Sequence, residues 1–154
     1  MRVLLQRVTT ATVTIEGQIV SQISNGLVVM LGVSKNDAEE DTKYVVDRTV
    51  NMRLFPNQDG RFDLSAINVQ AELLVISQFT LYANTRKGRR PDFTSAAPPD
   101  AAEFMYEKAV KMFKETGLTT KTGMFRKHML VSIQNDGPVT ITIDSADRLS
   151  PRRK

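Results

Sequence analysis

Hydrophobic and polar positions alternate from the start of the chain. Val3, Leu5 and Arg7 fall on one side of an extended segment and Leu4, Gln6 and Val8 on the other, and the β-branched run Thr12-Val13-Thr14-Ile15 continues the same habit. Glu16-Gly17-Gln18 reads as a tight turn, a third strand runs from Gln18 to Ser24, and Asn25-Gly26 is a hairpin signal. The almost unbroken apolar run Leu27–Val33 predicts a strand buried on both faces, so the chain is expected to open as a β-meander. The pattern then changes period. Asn36 or Asp37 is a candidate cap for a helix whose first turn is acidic, and Thr42, Val45, Val46, Thr49 and Val50 repeat at helical spacing. A short strand over Met52–Phe55 and a turn over Pro56–Gly60 follow.

Glu72–Tyr82 is a second strong apolar strand, and Asn84–Pro99 is a loop. A second helix is predicted behind Asp100 as N-cap, with Glu103 in capping-box position. Its apolar stripe is Ala101, Phe104, Met105, Ala109, Met112 and Phe113, and Gly117 ends it. Two last strands, over 128–134 and 139–144, flank Asn135-Asp136-Gly137-Pro138, and the tail from Asp147 to Lys154 is polar and expected to fray. About ten short strands and two helices make an α+β domain, with the helices on one side of a largely antiparallel sheet.

Composition narrows the chemistry. The 154 residues are one domain's worth. There is no cysteine, which excludes disulfides, thiolate zinc sites and thiol nucleophiles. The single histidine, His128, excludes metal sites that need two imidazoles from one chain. No stretch approaches the ~20 apolar residues of a membrane helix, and Met1–Thr10 does not read as a signal peptide. A cytoplasmic location is the default expectation. A formal charge of +4 permits an anionic partner without requiring one.

Four places carry candidate chemistry. In Ser77-Gln78-Phe79-Thr80-Leu81 a buried run leads into polar side chains, either as a strand surfacing into solvent or as a site; no carboxylate in the stretch is available to activate Ser77 or Thr80. Asn135-Asp136-Gly137-Pro138 is a hairpin turn or, if its X-Pro bond is cis, a rigid pair of carbonyl acceptors. Arg86, Lys87, Arg89 and Arg90 form a solvated loop or a grip on phosphates, to which Arg148, Arg152, Arg153 and Lys154 of the tail could add. Arg7 stands in an apolar strand, where an inward guanidinium needs a carbonyl or carboxylate partner and an outward one does not. His128 is expected to sit exposed at a strand start.

Taken together in order, these segments resemble one family. Gln6-Arg7-Val8, Gly26-Leu27, Leu31-Gly32-Val33, Ser77–Leu81, Thr85–Pro91 with Phe93, and Asn135–Thr140 are similar to the motifs of the D-aminoacyl-tRNA deacylases of the D-Tyr-tRNA deacylase type, over residues 1–145. Residues 146–154 fall outside the match. The resemblance implies a barrel-like sheet core with two main helices on one side, and a homodimer with its site at the subunit interface. There Ser77–Leu81 of one protomer faces a cis Gly137-Pro138 of the other, whose carbonyls exclude L side chains and let achiral glycine pass. It implies hydrolysis of the ester of D-aminoacyl-tRNA, and of glycyl-tRNA mischarged on tRNA-Ala, without a cofactor or metal. By the same resemblance, backbone N–H groups of Phe79 and Thr80 are expected to stabilise the oxyanion with assistance from the tRNA 2′-OH, with Thr80 as nucleophile the alternative. The resemblance further implies that Ser77, Gln78 and Met129 contact the substrate and that Arg7 steadies the Gly-Pro segment, and it makes Arg86, Lys87, Arg89 and Arg90 candidates for tRNA phosphates. A nucleic-acid-binding module without catalysis is the competing expectation, carried by the basic loop and tail.

Overall fold

A computed structural model describes residues 1–150; Arg152, Arg153 and Lys154 of the tail lie outside the described residues. Strand β1, Arg2–Ile15, is a single strand where two were expected. Register shifts on either side of Val8 absorb the change of face: Val3 and Leu5 point into one core, and Val8, Ala11 and Val13 into another. The turn Glu16-Gly17 has φ of 50° and 80°, as a two-residue hairpin needs, and leads into β2, Gln18–Ile23.

Asn25-Gly26 is not a hairpin. Strand β3, Gly26–Gly32, and β2 lie along the same side of β1: β2 pairs with Ala11–Ile15 and β3 with Arg2–Val8. The expected meander is therefore a broken strand running back along β1. Gly26 is needed for its size and not for its dihedrals, because a Cβ there would lie 1.9 Å from the Glu72 carbonyl oxygen.

The predicted first helix is α1, Glu39–Asn51, and Thr42, Val45, Val46, Thr49 and Val50 are all buried. Its cap differs. Ala38 is the N-cap, the Asp41 carboxylate accepts the Ala38 N–H at 2.9 Å, and Asp37 instead accepts the Ser34 N–H at 2.7 Å. A small ribbon of β4, Arg53–Pro56, and β5, Phe62–Ser65, with the one-turn helix α2, Ala66–Val69, carries the chain back to the sheet. Strand β6, Glu72–Ser77, runs parallel to β3, and β7, Thr120–Thr122, parallel to β6.

The second long helix, α3, covers Pro99–Glu115 with Pro98 at its cap, so Asp100 lies inside the first turn and does not cap it. Its buried face is rotated from the expected stripe. Tyr106, Ala109 and Phe113 are buried and Phe104 faces out, because Tyr106 turns inward to donate its hydroxyl to the Val75 carbonyl at 2.9 Å. Gly117, at φ +85°, ends the helix as expected.

The last strand, β8, is continuous over Leu130–Asp144 and lies on the other side of β1. Eight strands stand where about ten were expected: two expected pairs are single strands, while β5 and β7 come from segments not expected to be strands. The architecture is α+β: antiparallel around β1, parallel from β3 to β7, with the sheet bent toward a barrel. Alternate residues of β3 feed two cores, Leu27, Val29 and Leu31 toward α1 and α3, and Val28 and Met30 toward Val131 and Ile133 on the opposite face. Residues 145–149, which include the first part of the tail expected to fray from Asp147 on, form a 3₁₀ turn tied to α1 through Arg148 and Asp41 at 3.2 Å. No helix among the described residues is long and apolar enough to cross a membrane.

Candidate active site

The apolar run of β6 predicts an extended chain through Tyr82, but the strand stops at Ser77 and Phe79–Tyr82 winds into a 3₁₀ turn. Gly32 makes this possible. A Cβ at Gly32 would stand 2.9 Å from the Gln78 carbonyl oxygen and 3.2 Å from the Leu81 Cβ, so only glycine lets the turn pack against the end of β3. The Gln78 N–H still donates to the Leu31 carbonyl at 2.8 Å. The turn closes with Leu81 N–H to Gln78 carbonyl at 3.3 Å and Ala83 N–H to Thr80 carbonyl at 3.0 Å. The N–H groups of Phe79 and Thr80 come first in this turn and have no partner within it. The Thr80 hydroxyl accepts from the Gln78 side-chain amide, an amide and not a base.

Arg2 pins the far end of the turn, a residue that sequence reasoning missed. It donates to the Leu81 carbonyl at 3.1 Å, pairs with Asp144 at 2.9 Å, and lies 4.7 Å over the Tyr82 ring. Burial, with Asp37 and Asp144 nearby, pushes the Tyr82 hydroxyl well above the usual phenol range.

Beside the turn lies a cavity of about 640 Å³. Ser77, Gln78 and Phe79 line one wall, and Ile76, Met129 and Val131 belong to the apolar side that continues into the second core. Phe93 meets Phe79 edge-on at 5.0 Å, and Phe79 is 55% exposed. The remaining wall contains Phe125, Arg126, Lys127 and His128. Met129 is held in place by the Met124 N–H on its sulfur at 3.4 Å. Arg126, Lys127 and His128 were given no role from sequence; a charged triplet next to Met129 was the available signal.

Gly137-Pro138 does not line this cavity, and it is not the turn between two strands. Along β8, Thr140 pairs with Gln6 and Asn135 pairs with Val8, so residues 136–139 bulge out opposite the single residue Arg7. The Gly137-Pro138 bond is cis and Gly137 has φ +122°. Asn135 holds the base of the bulge, accepting the Val139 N–H and donating to the Thr140 hydroxyl, both at 2.9 Å. Arg7 points inward and is 7% exposed. It donates to the Leu54 carbonyl at 2.7 Å, and its Nε lies 3.0 Å from an Asp136 carboxylate oxygen at an angle that makes the contact ionic. Its guanidinium sits 5.4 Å from the Phe62 ring centre. The inward alternative for Arg7 therefore holds, with a carbonyl and a carboxylate as its partners.

Arg86 and Lys87 line a separate depression with Asn84 and Asp92, whose backbones bridge the loop at 2.7 and 3.0 Å. Arg89 and Arg90 are exposed beside it. None of the four cations is ion-paired among the described residues.

The family model described as D-Tyr-tRNA(Tyr) deacylase matches residues 4–144. The chain belongs to that family. Among curated deacylase relatives, the D-aminoacyl-tRNA deacylase of Thermosipho africanus is 48% identical, covering 94% of this chain and 97% of the relative. That of Herpetosiphon aurantiacus is 50% identical, covering 96% of each. Of solved structures, the c-Myc DNA unwinding element binding protein is 38% identical with a TM-score of 0.89, covering 94% of this chain and 98% of that one. A structure titled as a probable eukaryotic D-amino acid tRNA deacylase is 14% identical with a TM-score of 0.80 over 93% of this chain and 98% of its own; that likeness is one of fold.

Proposed function

We propose that the protein hydrolyses the ester joining a D-amino acid to the terminal adenosine of tRNA. The observation that carries this reading, beside membership of the deacylase family, is the pair of N–H groups at Phe79 and Thr80, without a partner among the described residues, next to a cavity large enough for a nucleoside. Water attacks the ester carbonyl carbon, and its oxygen becomes an oxyanion facing those two donors, each worth about 3–4 kcal/mol at comparable sites. The bond to the ribose oxygen then breaks, the proton lost by water ends on that oxygen, and free D-amino acid and tRNA leave. No protein base is required if the neighbouring ribose 2′-OH orients the water. The amide on the Thr80 hydroxyl supports this route over a Thr80 nucleophile, which would need a proton acceptor there.

Chirality is read by a second copy of the chain. Its Gly137-Pro138 carbonyls close the cavity and leave no room for an L side chain, while glycine, including glycine mischarged on tRNA-Ala, passes. Three features support this: the two motifs lie apart within one protomer, Phe79 is half-exposed, and the Gly-Pro bulge projects from the sheet under the hold of Arg7. Arg86, Lys87, Arg89 and Arg90 take tRNA phosphates.

The deciding experiment is parallel deacylation of D-Tyr-tRNA and L-Tyr-tRNA. Release of the D-amino acid alone is expected, and equal rates would sink the reading. A substrate with a 2′-deoxy terminal adenosine is expected to be inert. Sedimentation equilibrium is expected to give twice the 17.2 kDa of one chain.

A further inference from the structure

The triplet Arg126-Lys127-His128 lines the same cavity as Ser77, Gln78 and Phe79. The charge of Arg126 is already matched: it contacts the Asp100 carboxylate and lies 3.5 Å from that of Glu103, both on α3. Arg126 adopts φ +60°, and the Lys127 N–H closes back on the Met124 carbonyl at 3.3 Å. The two acids thus fasten a turn that sends the next two residues to the cavity. Lys127 is exposed and has no carboxylate partner among the described residues, and His128 beside it is exposed as well. An ammonium without an ion pair among the described residues, beside an imidazole and on the wall of a largely apolar cavity, is a point-charge anchor for one phosphate.

We propose that Lys127, assisted by His128, binds the 5′-phosphate of the nucleotide whose base and ribose occupy this cavity. The inference deepens the deacylase reading and rests on it for the identity of that nucleotide. In the tRNA it is the phosphodiester joining the terminal adenosine to the residue before it. This contact gives the nucleotide a second fixed point on the cavity lining besides Phe79, and it separates the terminal phosphate from those met by the Arg86–Arg90 loop.

Two measurements test it. In the first, 5′-AMP and adenosine are titrated into the whole protein by NMR. The wild type is expected to bind 5′-AMP several-fold more tightly, with the difference removed in Lys127→Ala, retained in Lys127→Arg, and diminished as salt rises with a slope near one phosphate contact. Equal binding of the two by the wild type, or an unchanged preference in Lys127→Ala, overturns the proposal. This arm is independent of catalysis, so it stands or falls even if no ester is cleaved. In the second, D-tyrosyl-adenosine and its 5′-phosphate are compared as substrates. The ratio of their kcat/KM values is expected to fall several-fold in Lys127→Ala, through KM. A ratio that does not move overturns the placement at the reacting nucleotide. Failure of the wild type to cleave either ester counts against the deacylase reading and leaves the phosphate contact to the titration.

Discussion

Gly137 is held from three directions. Its φ of +122° is open to glycine alone, and a Cβ would lie 2.8 Å from Val139 Cγ2 and 3.1 Å from Arg7 Nη2. A methyl at this position collides with its own chain before it reaches any substrate pocket. Gly137→Ala is therefore expected to cost about 1–3 kcal/mol and to lower deacylation of D-Tyr-tRNA strongly, checked by thermal unfolding alongside the assay. Normal stability and activity would mean that the bulge neither needs its shape nor contributes to the site. Thr80 gives the opposite expectation. Its hydroxyl accepts a hydrogen bond from Gln78 and its N–H is what the reaction uses, so Thr80→Ala is expected to retain kcat to within about tenfold, given that a missing nucleophile costs far more. Abolished turnover in a folded Thr80→Ala variant would restore the covalent route.

Among the elements, what the sequence makes legible are those decided locally. The stripe of α1 is buried residue for residue, and Leu27–Leu31 alternates between two cores, because periodicity alone sets those faces. Elements decided by a distant neighbour are not legible. The chain leaves β6 at Ser77 because Gly32 of β3 opens room for the turn, and residues 136–139 stay inside β8 because Arg7 of β1 holds the bulge from below. Neither Gly32 nor Arg7 lies near the segment it shapes. The site motifs were legible through family resemblance, while Lys127 and Arg2 needed the fold to bring them to the cavity and the turn. Gly26 belongs to the same class. Its partner is the Glu72 carbonyl 46 positions on, and the required Cβ position at 1.9 Å is deep inside that oxygen. Gly26→Ala is expected to force β3 and β6 apart and cost about 3 kcal/mol or more, read as a lower urea midpoint. Insertion of the methyl at no cost would disprove the close parallel pairing.

At the scale of the whole molecule, the two ends of the described chain meet at the start of α1, and acid should undo them there. Burial by itself would raise the Asp41 carboxyl, but the Ala38 N–H, the Ser145 hydroxyl, the Arg148 guanidinium and the amino terminus together hold it down at about 2, against an ordinary 3.8. Glu39, half-exposed, is likewise held at about 2 by Lys108 and then Lys43. For a carboxylate whose folded pKa is depressed, the stabilisation is complete above the unfolded value and disappears as pH falls through the folded one. Stability is therefore expected to decline between about pH 4.5 and pH 2. The Asp41 share is on the order of 2 kcal/mol because that group is buried, whereas the Glu39 share is screened by salt. Asp41→Asn is expected to unfold more easily at pH 7 and to show a flatter loss below pH 4, with the difference from wild type persisting in high salt. Thermal unfolding from pH 7 to pH 2.5 at two salt concentrations separates the two carboxylates. A variant whose pH profile runs parallel to wild type would show that Asp41 does not join the last turn, residues 145–149, to α1 by its charge.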